Sequence, residues 1–95
     1  MPAYVIVDVS IHDHEEYERY KKLTPGTIAA FNGRFVVRGG EVTTMEGDWT
    51  PERIVVLEFP SRELANAWWN SEIYANAKVI RQRSAHTKII MVEGT

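Results

Sequence analysis

The sequence predicts an α+β domain in which four β-strands and two helical segments follow one another as strand, helix, strand, strand, helix, strand. Four runs rich in valine and isoleucine have the alternation typical of strands. Two stretches between them carry capping residues and apolar residues at helical spacing. The chain has 95 residues, so we expect a single domain, residues 1–95, with a thin core.

The first strand is predicted over residues 3–10, AYVIVDVS, because β-branched residues dominate this stretch. Val5 and Val7 share one face, and Tyr4 and Ile6 share the other. Both faces are mostly apolar, which predicts that both are covered in the folded protein.

The first helical segment begins at HDHEEYERYKKL. Asp13 and Glu16 have the spacing of a capping box. Thr24 followed by Pro25 has the pattern of an N-cap and a first helical residue, which predicts that a new helix starts there. Gly33 is the expected left-handed stop of that helix.

The second strand is predicted from Arg34 to Met45 and the third from Arg53 to Phe59, with the turn EGDWTPER between them. The adjacent Gly39 and Gly40 interrupt the second strand. We expect them to bulge or bend it, as glycine pairs do on outer strands.

The second helical segment is predicted to begin after Ser61, a good N-cap. A bend with a second cap is expected at Asn70 and Ser71, and the apolar stripe then continues towards Ser84. The last strand is predicted over residues 86–93, HTKIIMVE.

This order of elements is that of the ferredoxin-like βαββαβ fold, in which helices cover one face of a four-stranded antiparallel sheet. The bare face is predicted to be apolar rather than polar. Under one register it carries Ile6, Val36, Ile54, Val56 and either Ile90 or Met91. An apolar face of that size needs a cover, so we expect a homodimer in which two such sheets pair into a dimeric α+β barrel.

Composition excludes several classes of function. The net charge of −2 offers no attraction for nucleic acid or anionic lipid, and the absence of cysteine excludes disulfides and thiolate sites. The sequence shows no signal peptide, no membrane-length apolar run, no phosphate-binding glycine loop and no cofactor signature. We therefore expect a cytoplasmic protein without a cofactor.

Three charged residues on predicted strands, Asp8, Arg38 and Glu58, alternate with apolar residues that should face the space between two paired sheets. One hypothesis makes Arg38 an anion clamp, with Asp8 or Glu58 as a general base and catalytic candidate. The other makes the three residues a structural ion-pair network that sets the register of the dimer.

A second group of candidates consists of Arg53, Arg81, Trp68 and Tyr74, which we predict to bind a ligand together with Arg38. The spacing of Tyr74 and Arg81 places both on one side of the last helix. The alternative is that Trp68 and Tyr74 are packing residues and that the arginines are solvated.

Histidine is a common metal ligand, but the histidines of this chain do not have the spacing of a metal site. His12 and His14 flank Asp13 in the segment HDHEE, and His12 lies outside a helix that begins at Asp13. His86 stands alone at the start of the last strand. We predict no metal site.

Several motifs in order give the chain a resemblance to a known family. These are RGGEV from Arg38, WTPER from Trp49, LEFPS from Leu57, WWNSEIY from Trp68 and IRQRSA from Ile80. Together they resemble the bacterial domain-of-unknown-function family thirteen-thirty, over almost the whole chain.

The resemblance implies the dimeric α+β barrel superfamily, in agreement with the fold predicted from the residues. It implies no activity. Relatives in that superfamily include cofactor-independent monooxygenases, chlorite-dismutase-like haem proteins, muconolactone isomerases and stress-response proteins, and no motif of this chain assigns it to one of them. Two hypotheses remain: a small-molecule site for an anionic or aromatic compound, with or without catalysis, and a non-catalytic dimeric module.

Overall fold

The computed structural model describes residues 1–95 and confirms the predicted order of elements. Its seven elements are β1 (Ala3–Ile11), α1 (His14–Ala29), β2 (Arg34–Arg38), β3 (Arg53–Phe59), α2 (Arg62–Trp69), α3 (Glu72–Ser84) and β4 (Ala85–Glu93). The second helical segment is divided into α2 and α3, as the expected bend predicts.

The strands form one antiparallel sheet in the order β2-β3-β1-β4. Side chains of β1 alternate strictly, and Val5 and Val7 lie on the buried face. That face packs against the helices through Tyr17 of α1, Trp68 of α2 and Tyr74 of α3. The chain is therefore α+β and ferredoxin-like, with all helices on one side of the sheet.

The prediction that a new helix starts at Pro25 is wrong, because α1 runs unbroken through this residue. The Thr24 hydroxyl donates to the carbonyl oxygen of Tyr20 at 2.7 Å, and that of Thr27 donates to the carbonyl oxygen of Thr24 at 2.8 Å. Both hydroxyls bond back into the preceding turn, so the helix stays closed around the proline. Pro25 still lacks the N–H that would reach the carbonyl of Lys21.

The left-handed residue after α1 is Asn32, with φ of 61°, and not Gly33 as predicted. Asparagine tolerates this conformation because its short polar side chain bonds locally. Gly33 has a different role. A Cβ there would lie 2.5 Å from the Phe59 ring, so glycine allows the chain to enter the sheet close to the core.

Strand β2 ends at Arg38, well before the predicted Met45, and its bulge lies earlier than the predicted glycine pair. Phe35 pairs with Leu57 and the next paired residue is Val37, so Val36 is the additional residue. Gly39, with φ of 72°, then turns the chain into the loop of residues 39–52.

The bulge decides where Arg38 points. Side chains alternate between the two faces of a strand, so one inserted residue reverses every later position. Arg38 pairs with Val55, which is buried on the helix-covered face. Without the bulge, Arg38 would lie on the open face, where the sequence pattern placed it.

The remaining caps agree with prediction. The hydroxyl oxygen of Ser61 accepts from the N–H of Leu64 at 3.2 Å, and that of Ser71 accepts from the N–H of Tyr74 at 3.2 Å. None of the helices is long and apolar enough to cross a lipid bilayer.

The uncovered face of the sheet carries an apolar row across all four strands. The register aligns Val37 with Val56, Val56 with Ile6, and Ile6 with Ile90. Ile90 is 61% exposed, so this row is open to solvent in the single chain. Ile90, and not Met91, is therefore the residue of β4 on the open face.

Candidate functional site

A small cavity lies between the helices and the covered face of the sheet. It has room for one or two water molecules, about 30 Å³. All five residues that the sequence predicts to bind a ligand line it: Arg38, Arg53, Trp68, Tyr74 and Arg81. The fold thus brings together side chains from β2, β3, α2 and α3 that are far apart in the sequence.

Arg81 lines this cavity and is only 2% exposed. Its Nε donates to the Tyr74 hydroxyl at 3.3 Å, and its Nη1 donates to the Thr87 hydroxyl at 2.6 Å. Its Nη2 is buried without any hydrogen-bond partner. A buried guanidinium without a carboxylate, and with one N–H group unsatisfied, is costly for the folded protein.

Arg53 reaches the cavity from the start of β3. Its guanidinium lies against the backbone of Gly39, where a Cβ would come within 1.9 Å of Nη1. Its Cζ is 5.8 Å from the centre of the Tyr17 ring, a cation–π distance. The Nε of Arg53 is also buried without a partner.

Arg38 lies at the exposed end of the cavity and spans from β2 to α1. Its Nη2 donates to the carbonyl oxygen of Lys21 at 3.0 Å. The same guanidinium lies over the Phe35 ring, 4.4 Å from the ring centre. Because Pro25 has no N–H, the Lys21 carbonyl lacks its usual helical donor, and Arg38 supplies one.

No carboxylate lines the cavity, so its charge is positive. Lys21 also lies at its edge, where it forms an ion pair with the exposed Glu18 at 2.8 Å. This contact lowers the pKa of Glu18. None of the three arginines of the cavity forms a salt bridge. Such a site attracts an anion.

Two tyrosine hydroxyls meet inside the cavity. Those of Tyr20 and Tyr74 are 2.9 Å apart, and Tyr74 also accepts from Arg81. Burial, and then the neighbouring Tyr74, raise the pKa of Tyr20 far above its usual range. Tyr20 therefore stays neutral at physiological pH and keeps a proton to donate.

Trp68 is both a lining residue and part of the core. It is 2% exposed, its Nε1 donates to the Thr27 hydroxyl at 3.1 Å, and its ring is 4.1 Å from that of Tyr74. Its ring thus forms an apolar wall whose position is fixed by the core.

The structure does not bring Asp8 and Glu58 to Arg38, so the expectation that the three share one space is wrong. Both acids lie on the open face, because β1 and β3 alternate without a bulge. Asp8 accepts from Nε1 of Trp49 at 2.8 Å, and Glu58 forms a salt bridge with Arg34. The sheet separates these carboxylates from the cavity.

The histidines form no metal-binding cluster. The rings of His12 and His86 pack at a tilt of 47°, with centres 5.1 Å apart. No group of three or more histidine, aspartate and glutamate side chains is placed to hold a metal ion.

Sequence reasoning missed several residues of the cavity, above all Tyr17, Tyr20 and Phe35. Tyr17 and Tyr20 are three residues apart, a spacing that places both on one face of a helix, but the sequence does not show what that face covers. Phe35 was assigned to strand β2 without a role. Only the packing of α1 on the sheet places these rings beside Arg53 and Arg81.

The fold defines a class: small ferredoxin-like α+β proteins. The profile of the family described as "Domain of unknown function (DUF1330)" matches residues 2–95. The chain belongs to this family, as its motifs suggested. No curated protein matches the sequence.

Solved structures of distant relatives share the fold. A protein of unknown function from Rhodopseudomonas palustris superposes with a TM-score of 0.79 at 17% identity, over 99% of this chain and 82% of its own. A dimeric ferredoxin-like protein of unknown function from Jannaschia sp. CCS1 gives 0.74 at 11% identity, over 99% and 100%. SnoaB, a cofactor-independent oxygenase from Streptomyces nogalater, gives 0.68 at 10% identity, over 99% and 93%. At these identities the likeness concerns the fold alone.

Proposed function

We propose that this protein is a homodimer that binds a small organic anion in the cavity between the helices and the sheet of each protomer. One observation carries the proposal: Arg81 is buried, lacks an acidic partner and leaves Nη2 unsatisfied in a cavity lined mainly by apolar side chains. Arginine stays charged in proteins, so it cannot lower this cost by losing a proton. A bound carboxylate would supply the missing acceptor and the missing charge.

The shape and lining of the cavity limit the ligand. The free space of the cavity, about 30 Å³, admits a carboxylate-sized group but no larger body. The rest of the ligand therefore extends towards Lys21 and Arg38, and Arg38 must release the Lys21 carbonyl to admit it. The rings of Tyr17, Trp68 and Phe35 favour an apolar or aromatic body.

The homodimer is supported by the apolar row on the open face, from Val37 through Val56 and Ile6 to Ile90. A second copy of the same sheet would cover this row without requiring a different partner. The fold is shared with a dimeric protein from Jannaschia sp. CCS1. The cavity lies on the other side of the sheet, so each protomer would carry a complete site.

The test is ligand-induced thermal stabilisation with a panel of small carboxylates from acetate to benzoate, with chloride as the control salt. Arg81→Gln should abolish the stabilisation. Arg83→Gln is the matched control, since Arg83 lies on the same helix, is exposed and contacts only Glu16. Arg38→Ala should abolish stabilisation while the dimer persists. No stabilisation of the wild-type protein by any carboxylate, with an intact dimer, would instead support a non-catalytic module.

A second candidate function, cofactor-independent catalysis on the bound anion, is favoured by the Tyr20–Tyr74 hydroxyl pair. A neutral tyrosine buried beside a guanidinium can stabilise an oxyanion that develops on a substrate. Asp8 and Glu58 cannot act as bases there, because the sheet lies between them and the cavity. Tyr20→Phe should then slow turnover of an identified ligand while its affinity changes little.

A further inference from the structure

The loop of residues 39–52, which joins β2 to β3, is much longer than a connection between neighbouring antiparallel strands requires. Such strands are usually joined by about two to five residues. Every residue from Val36 to Thr50 is exposed, and a Cβ at Gly40 or Gly47 would meet nothing within 4 Å. Met45 is 90% exposed, more than any other large hydrophobic residue. Part of this loop therefore carries an apolar side chain that the single chain leaves uncovered.

Residues 41–46, EVTTME, form the outer part of the loop and are called the arm below. Val42, Thr43 and Thr44 are β-branched, which is why the sequence predicts a strand as far as Met45. In the structure Gly39 turns the chain out of the sheet, and the arm makes no backbone–backbone hydrogen bond. The arm thus has the sequence of a strand but lacks a neighbouring strand.

Strand β4 provides a free edge of the sheet. It lies at the end of the strand order, pairs only with β1, and keeps one register over its nine residues. Neither proline nor glycine interrupts it. The opposite edge, β2, has only five residues and contains the bulge, two features that protect an edge from further pairing. The outward backbone groups of β4 can therefore accept a further strand.

An apolar groove of about 290 Å³ lies beside this edge, between α2 and β4. Trp69 lines it from α2, and Ile89, Ile90 and Met91 line it from β4. Consecutive residues of a strand point to opposite faces, so all three can line one groove only where it passes around the edge of the sheet. The groove thus lies where side chains of an added strand would fall, and Ile90 connects it to the apolar row of the open face.

We propose that the arm of one protomer pairs with the free edge of β4 of its partner as an additional strand, an inference that rests on the proposed homodimer. Side chains alternate along a strand, so Thr43 and Met45 point to one side and Val42 and Thr44 to the other. Met45 enters the groove between α2 and β4 of the partner, because its flexible side chain suits an irregular apolar space. Main-chain hydrogen bonds supply affinity, and the groove supplies specificity.

The position of the loop identifies a second copy of this chain as the occupant of the groove. Nε1 of Trp49 donates to Asp8 at 2.8 Å and holds the loop on the open face of the sheet, the face that carries the apolar row. When two open faces pair, each loop therefore lies beside the sheet of the other protomer. Two-fold symmetry then forms the same contact twice.

The charges of the arm agree with this occupant. Glu41 and Glu46 form no salt bridge within the chain, and neither does Lys88, which is exposed on β4. An acidic arm beside Lys88 of β4 brings together charges that are unpaired in the single chain.

Cysteine cross-linking tests the contact directly, because the chain has no cysteine of its own. Asn66 is exposed and lines the groove, so a short bis-maleimide should join two chains of the double variant Met45→Cys/Asn66→Cys. Denaturing electrophoresis measures the covalent dimer. Met45→Cys/Asn76→Cys is the matched control, since Asn76 is exposed on α3 outside the groove. The single variants give the background.

A second measurement follows the association itself. Met45→Asp should raise the dissociation constant of the dimer about tenfold or more, because it places an unpaired charge in an apolar groove. Ile73→Asp is the control, since Ile73 is 52% exposed but lies on α3. Sedimentation velocity over a range of protein concentrations gives both constants.

The outcomes separate this inference from the proposed function. A wild-type monomer overturns both the arm contact and the proposed homodimer. A wild-type dimer overturns the arm contact alone if the Asn66 double variant cross-links no better than the Asn76 control, or if Met45→Asp leaves the dissociation constant unchanged.

Discussion

The guanidinium of Arg38 donates a hydrogen bond to the backbone carbonyl of Lys21, 3.0 Å away, and so takes the place of an N–H that α1 lacks. The missing donor is that of Pro25, four residues after Lys21 within the same helix. Proline normally breaks helices. Here Pro25 instead leaves the Lys21 carbonyl free to accept a hydrogen bond at the mouth of the cavity. The contact joins β2 to α1 beside the entry to the candidate site.

The first prediction concerns the dependence of this contact on the proline. Arg38→Met should lower the free energy of unfolding by about 1 kcal/mol, the net value of a hydrogen bond. In a Pro25→Ala background the same change should cost close to nothing, because the N–H of residue 25 then bonds the Lys21 carbonyl. Urea unfolding of the four proteins of this double-mutant cycle measures the coupling. An equal cost in both backgrounds would show that Arg38 acts independently of Pro25.

The second prediction compares two adjacent glycines. Gly39→Ala should lower the free energy of unfolding by at least 1–2 kcal/mol, roughly the cost of a left-handed non-glycine residue, because Gly39 has φ of 72° and lies against Arg53. Gly40→Ala should be nearly neutral, since a Cβ there meets nothing within 4 Å. Thermal and urea unfolding of both variants provide the measurement. Similar effects of the two substitutions would contradict the close approach of Arg53.

The third prediction concerns the alkaline pH dependence of stability. Burial raises the pKa of Tyr20 in the folded protein, whereas the unfolded chain ionises near pH 10. Above about pH 10 the folded state therefore holds more protons than the unfolded state, so stability is complete below this pH and declines as pH rises.

Tyr20→Phe should weaken this alkaline decline, although it also removes the hydrogen bond to Tyr74 at neutral pH. Urea unfolding between pH 8 and about pH 11 measures both effects. Tyr4→Phe is the control, because Tyr4 lies on the open face and outside the cavity. An unchanged pH dependence in Tyr20→Phe would contradict the burial of this hydroxyl.

The fourth prediction tests the homodimer. Ile90→Glu should place a charge in the apolar row of the open face and convert a dimer into monomers, since an unpaired charge in such an interface is costly. Val79→Glu is the matched control, because Val79 is similarly exposed, at 53%, but lies on α3 away from the sheet face. Sedimentation velocity measures the association state. A wild-type monomer, or a dimer that tolerates Ile90→Glu, would refute the interface.

The prediction of secondary structure succeeded where local chemistry decides the outcome. Asp13, Ser61 and Ser71 cap the helices as expected, because a side-chain oxygen near a free N–H needs no distant partner. It failed at Pro25, where the hydroxyls of Thr24 and Thr27 bond within the helix and tertiary contacts keep α1 intact.

The sequence predicted some residues of the site correctly and misplaced others, because the outcome depends on contacts between distant segments. Arg53, Trp68, Tyr74 and Arg81 line one cavity with Arg38, although the pattern alone left the alternative of packing and solvated residues. The predicted partnership of Arg38 with Asp8 and Glu58 failed. An alternating pattern cannot reveal a single inserted residue, and the bulge at position 36 reverses the face of the strand.

The sequence by itself determined the order and type of the elements, the caps of the helices and an apolar row on both faces of the sheet. These follow from interactions between near neighbours and from the two periodicities of helix and strand. Only the tertiary structure decided that Arg38 faces the helices and that Arg53 and Arg81 line one cavity without an acidic partner. The physical reason is that distant segments of the chain decide whether an arginine is buried and whether it has an acidic partner. These contacts exist only once α1 and α3 pack on the sheet.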